Sequence, residues 1–216
     1  MPRDHRETDV RFRQRRIISA LVLLAGTLAL AASLRMEQNS PWFPLAALGV
    51  AAVWAIGSFA SGTLHLGWVH SGELLRRPIW QPIAVGALLA AVFIVGAFVT
   101  VRIPPLAAQA REVLGFATSG SIWLLTVTTL LSGIAEELFF RGGLYAAVRE
   151  PHQVLVTTVA YIAATLATGN PLLAFAAGAL GWVTALERRA TGGVLAPALT
   201  HVTWSLTMLH VLPFVF

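Results

Sequence analysis

Glu136 and Glu137 stand side by side inside an apolar run, Ile134-Ala135-Glu136-Glu137-Leu138-Phe139-Phe140-Arg141. A charge placed in hydrocarbon costs at least about 2.5 kcal/mol, so ionisable residues at membrane depth face a cavity or a partner. Glu137 and Arg141 are four residues apart, with the acid on the N-terminal side. That is the favourable order for an ion pair on one helical face. Glu136 projects about 100° away from Glu137 and is left without a local partner. A carboxylate so placed can act as a general base. The competing reading is a merely solvated carboxylate at the headgroup boundary, which Arg141, Arg149 and Glu150 mark nearby.

His201 is the second candidate, in Leu195-Ala196-Pro197-Ala198-Leu199-Thr200-His201-Val202-Thr203-Trp204-Ser205. Ser205 follows it by four residues and shares its helical face. A lone histidine in a membrane helix more often bonds helix to helix than performs catalysis. Depth brings it back into the argument. Counted from Ser121, a rise of about 1.5 Å per residue puts Glu136 about 22 Å into a hydrocarbon core about 30 Å thick. Counted from Val194 at the opposite face, His201 lies about 10 Å deep. The two groups therefore share a level.

The elements that must hold them are membrane helices. Of 216 residues, 56% are apolar and only 12% charged, and the mean hydropathy is +0.73. A soluble fold of this size could not hide that much apolar surface. Disorder, coiled coil and a disulfide scaffold are excluded. Cysteine is absent, which removes thiolate metal sites, cysteine nucleophiles and palmitoylation. All 15 basic residues are arginine, and the net charge is +5. Arg3, Arg6, Arg11, Arg13, Arg15 and Arg16 precede the first apolar run. That cluster reads as a topology signal rather than a nucleic-acid site.

Seven apolar segments are candidate spans: Ile17–Leu34, Trp42–Ser61, Gln81–Val101, Ser121–Val148, Val154–Thr168, Leu172–Leu186 and Val194–Phe216. The first also resembles a signal peptide, but its basic region is long and spans continue behind it, so it reads as uncleaved. Val154–Thr168 and Leu172–Leu186 flank Gly169-Asn170-Pro171 and predict a helical hairpin of short helices. Pro104–Gly120 is a moderately polar connection suited to an interfacial helix. A polar stretch with His65, His70, Glu73, Arg76 and Arg77 separates the second and third spans. With a cytoplasmic N-terminus, twelve arginines fall inside and only Arg35, Arg102 and Arg111 outside, in line with the positive-inside rule. The predicted fold is an all-α polytopic transmembrane bundle of about seven spans. It divides into a basic tail (1–16), generic N-terminal spans and connections (17–120), and a motif-bearing core (121–216).

That core resembles the CPBP superfamily of intramembrane proteases, which holds the type II CAAX prenyl endopeptidases and the Abi-like bacterial proteins. Glu136-Glu137-Leu138-Phe139-Phe140-Arg141 matches the family's Glu-Glu-x-x-x-Arg motif in full, and Arg141-Gly142-Gly143-Leu144-Tyr145 continues as the family does. The run from Arg189 through Thr191-Gly192-Gly193 and Pro197 to His201 is similar to the family's approach to its final histidine. The resemblance implies that Glu136 activates a water, that Glu137 and Arg141 support it, and that His201 steadies the oxyanion. Two positions depart from the pattern. Tyr161-Ile162-Ala163-Ala164-Thr165 has threonine where the family has histidine. His201-Val202-Thr203-Trp204-Ser205 has serine where asparagine or aspartate is usual. The Thr165 hydroxyl can orient a water but cannot act as a base, and Ser205 donates over a shorter reach. Tyr161, on the face of Thr165, can compensate through its phenol.

The expected activity is therefore endopeptidase cleavage of a membrane-associated protein or peptide by a glutamate-activated water. The alternative is a weak or inactive relative that serves as a membrane scaffold or immunity-type binding protein. A small transporter is a third reading, weakened by the absence of an inverted repeat. A rhomboid-like site built from Ser119-Gly120-Ser121 and His201 would put its serine near the wrong face. No cofactor is predicted: a divalent metal would find only Glu136, Glu137 and His201 in the core, and no His-Glu-x-x-His occurs. The expected partners are the lipid bilayer and the substrate, with no nucleic acid. The expected setting is a bacterial plasma membrane.

Overall fold

Small residues decide how closely the first two helices meet. In the computed structural model, which describes residues 7–38, 40–72, 74–118 and 121–216, α1 spans Asp9–Ser33 and α2 spans Phe43–Ser61. A Cβ on Gly26 of α1 would come within 2.3 Å of the Trp54 ring of α2. One on Gly57 would meet Val22 at 2.4 Å. Close approach through small residues is how helices gain packing in lipid, where apolar burial gives no advantage.

α1 begins well before the expected Ile17. Thr8 caps it by accepting from the Arg11 amide at 3.4 Å. Arg15 is buried, pairs with Glu7, and reaches Ser61 Oγ at 3.4 Å and the Thr63 carbonyl at 3.3 Å. Much of the supposed basic tail is thus helix tied to the end of α2. Arg3, Arg6, Glu73, Ser119 and Gly120 lie outside the described residues.

The polar stretch after α2 contains a small antiparallel hairpin, β1 (Val69–Ser71) with β2 (Leu74–Arg76), in register Val69↔Arg76. Gly72, at φ +62°, supplies its turn. Then come α3 (Trp80–Thr100), α4 (Pro104–Thr118) and α5 (Ile122–Glu137). α5 runs on as a π-helical segment, Leu138–Gly143, and ends in α6, Leu144–Ala147. The expected hairpin is α7 (Gln153–Leu166) with α8 (Pro171–Thr191), started by Asn170 capping the Leu173 amide at 2.9 Å. α8 outruns the expected Leu172–Leu186 because the side chains of Glu187 and Arg188 find buried oxygen partners instead of needing solvent. α9 (Leu195–Val211) and a 3₁₀ turn (Leu212–Phe214) close the chain.

Four of these rods, Asp9–Ser33, Phe43–Ser61, Trp80–Thr100 and Ile122–Ala147, are long and apolar enough to cross a membrane. α7 is apolar but shorter, and α8 ends in Glu187-Arg188-Arg189. The fold is an all-α helical membrane bundle. Its contacts define two ends. At one end the Trp68 amide bonds the Thr191 carbonyl and the Val194 amide bonds the His65 carbonyl, each at 2.8 Å. At the other, Arg35 reaches the Ala167 carbonyl at 3.4 Å and Asn170 the Gln109 carbonyl at 2.9 Å. Arg15 and Arg77 bond at the first end, to the Thr63 and Gly67 carbonyls, and Arg35 and Arg111 at the second, to the Ala167 and Phe216 carbonyls. Trp42, Trp80 and Trp123 are exposed near helix starts, where indole suits a headgroup boundary.

Candidate active site

Five elements converge on the two glutamates. The backing is aromatic: Trp54 of α2 stacks on Phe139 with centroids 4.6 Å apart, and Phe140 lies 4.6 Å from Tyr161. Trp54, Phe139 and Phe140 are essentially without solvent contact. They wall the acids off from the α1 side of the bundle.

Glu137 is fully buried and divides its carboxylate between two helices. Oε2 lies 3.3 Å from Arg141 Nε, the ion pair that the spacing predicts. Oε1 lies 2.8 Å from His201 Nδ1 on α9. An ionised Glu137 beside a guanidinium can only accept, so Nδ1 donates and the ring presents Nε2 away from Glu137. The ring lies against Gly133, where a Cβ would stand 3.4 Å from Cδ2.

Arg141 is equally buried. Its Nη2 donates to the Gly181 carbonyl on α8 at 2.8 Å. Gly181 is what permits this, since a Cβ there would sit 3.0 Å from Nη2 and 3.1 Å from a Tyr161 ring carbon. The π turn changes the backbone bonding just here, and the Arg141 carbonyl is met by Arg188 Nε at 2.7 Å. Arg188 is itself held over the Tyr145 ring at 5.0 Å. Gly142 and Gly143 let the segment lie against Leu64 and Ser61.

Glu136 differs from its neighbour. It keeps partial exposure, and its Oε2 accepts a hydrogen bond from the Tyr161 hydroxyl at 2.5 Å. Its partner is not local, in keeping with the helical spacing; it stands on α7, which that spacing cannot reveal. Tyr161 is also the link to His201, their ring centroids being 6.5 Å apart. Glu136 and His201 interact electrostatically, but His201 is bonded to Glu137 rather than to Glu136.

Thr165 is buried one turn beyond Tyr161 on α7. Ser205 bonds the Val202 carbonyl of its own helix at 3.4 Å. Among the described residues no hydrogen bond joins its hydroxyl to His201. Gly133, Gly181 and Arg188 were not anticipated. A glycine inside a helix and an arginine beside an apolar run are the only sequence signals that mark them.

A cavity of about 250 Å³ opens at the basic end, lined by residues including Gly67, Trp68, Arg77 and Thr191, and none of Glu136, Tyr161 and His201 lines it. Among the described residues no group of three or more His, Asp or Glu is arranged to hold a metal. Glu137 is already committed to Arg141 and His201.

Fold and site define a helical membrane protein with a buried ionisable centre made by α5, the π turn, α7, α8 and α9. Residues 118–207 match the model of a family described as type II CAAX prenyl endopeptidase Rce1-like. That stretch carries every residue of the centre, and it supports the CAAX protease superfamily suggested by the motifs. The family is one of proteases, so at family level the match supports a CAAX-type intramembrane peptide hydrolase. No curated protein and no solved structure matches the chain.

Proposed function

We propose that the chain is an intramembrane endopeptidase in which Glu136 activates the hydrolytic water. The observation that carries this reading is the contrast between the two glutamates. Glu137 is buried and held by Arg141 and His201, whereas Glu136 is partly exposed and has one oxygen fixed by Tyr161. Its other oxygen is free to take a proton.

The water oxygen bonds to the carbonyl carbon of the substrate as its proton passes to Glu136. Charge grows on the carbonyl oxygen and is met by the His201 ring, whose Nδ1 is braced on Glu137. Glu136 then gives its proton to the leaving nitrogen as the C–N bond breaks. One water enters, and a carboxylic acid and an amine leave. Thr165 orients the water, and Ser205 adds a donor only after turning from Val202. The substrate is a membrane-associated protein or peptide, and the setting is a bacterial plasma membrane.

A non-catalytic scaffold is the second reading, favoured by Ser205 bonding its own helix and by Thr165 in place of a base. The deciding experiment compares membrane-derived peptides from cells expressing wild type or Glu136→Gln at equal levels. Neo-termini seen only with wild type are expected. Identical peptide sets, with both proteins folded and abundant, would move the assignment to the scaffold.

A further inference from the structure

Thr200 immediately precedes His201 on α9, and its side chain is buried. Its Oγ1 stands 2.9 Å from the Pro82 carbonyl oxygen of α3 and 2.7 Å from Glu187 Oε1 of α8. A threonine hydroxyl has one hydrogen to give. The Pro82 carbonyl can only accept, and so can an ionised carboxylate, so one hydrogen cannot serve both contacts in full. The shorter contact then needs its hydrogen from the carboxyl side. A second observation agrees: Glu187 Oε2 is buried with no hydrogen-bond partner. An ionised carboxylate would leave a charged oxygen dry, a costly state that a neutral acid avoids. Among the described residues Glu187 has no ion-pair partner, and Arg188 points instead to the Arg141 carbonyl. The charged groups that reach Glu187 electrostatically are Glu137 and Arg141.

We propose that Glu187 is a neutral carboxylic acid donating to Thr200, and that the chain Glu187–Thr200–Pro82 fixes the rotation of α9 and thereby the place of His201. Three helices meet at this one hydroxyl. Gly86 of α3 presses the same spot, since a Cβ there would come within 2.6 Å of the Thr200 carbonyl oxygen. A small rotation of α9 would carry His201 away from Glu137. Glu187 is therefore a positioning residue, and its role in catalysis rests on the endopeptidase reading above.

The test uses the full chain in lipid nanodiscs at neutral pH. The infrared difference spectrum between wild type and Glu187→Gln should show the C=O stretch of a protonated carboxyl, present only in wild type. Thr200→Val removes the acceptor and should shift that band. Gln carries an N–H that can donate to Thr200, so Glu187→Gln should keep the wild-type melting temperature and Glu136-dependent cleavage. Glu187→Ala should lower cleavage about tenfold, the scale of one lost hydrogen bond. Absence of the band, or a Gln variant as impaired as the Ala variant, would overturn the proposal. The band does not depend on proteolysis. A band without any Glu136-dependent cleavage would sink the endopeptidase reading and leave the neutral acid standing. Cleavage without the band would do the reverse.

Discussion

Between α1 and α2 the chain is held by shape, whereas between α5, α7, α8 and α9 it is held by charge. Gly26 and Gly57 let an indole and a valine settle into the facing helix. Around Glu137 almost every contact is polar: Arg141, His201, Gly181 and Arg188 are joined by an ion pair and hydrogen bonds. The two arrangements fail differently. A shape contact degrades with the volume added or lost. A buried polar network loses far more when one member goes, because the survivor is a charge without a partner.

The sharpest test is Glu137→Ala. It strands Arg141, whose side chain is fully buried, and should cost about 3–5 kcal/mol in folding stability. Unfolding titrations in mixed detergent micelles would measure it. Gly26→Ala tests the other region. The new methyl would overlap the Trp54 ring, and a loss of about 1–3 kcal/mol is expected in the same titrations. A larger loss at Gly26 than at Glu137 would break the comparison. Tyr161→Phe sharpens it within the polar half. It deletes only the hydroxyl bonded to Glu136, so Glu136-dependent cleavage should fall about tenfold while stability changes by about 1 kcal/mol.

The smallest expected effect lies outside the membrane, at the start of α1. Hydrogen bonding from the Arg15 guanidinium holds the Glu7 carboxyl below the usual carboxylate range. A lowered folded-state pKa stabilises the fold above the ordinary value, and that contribution fades as pH falls through the lowered one. Wild type should therefore lose melting temperature below about pH 4.5 relative to its neutral value. Glu7→Gln should show a flatter profile. Glu7 is partly exposed, so the difference is modest and should shrink in salt.

What could be read ahead of the fold follows the reach of each interaction. The Glu137–Arg141 pair was legible because both residues lie on one turn. The helical hairpin at Asn170-Pro171 was legible because its turn chemistry is local. Tyr161 was placed on the right helical face, but its bond to Glu136 crosses 25 positions in the chain. Depth arithmetic set His201 level with Glu136, and so with its neighbour Glu137. It could not choose between them, since that choice depends on how α9 is rotated. The burial of Arg15 was hidden because an arginine among arginines carries no local mark of its partner.

The π segment has a consequence for the direction in which each half of this helix faces. A π turn holds one residue more than an α turn over nearly the same rise, so it behaves as a one-residue insertion absorbed without lengthening the rod. Everything before it is turned relative to everything after it. The acids on one side can thus look towards α7 and α9 while Gly143 on the other faces α2. Deleting one residue between Leu138 and Gly143 would restore a plain helix and turn one of those faces away.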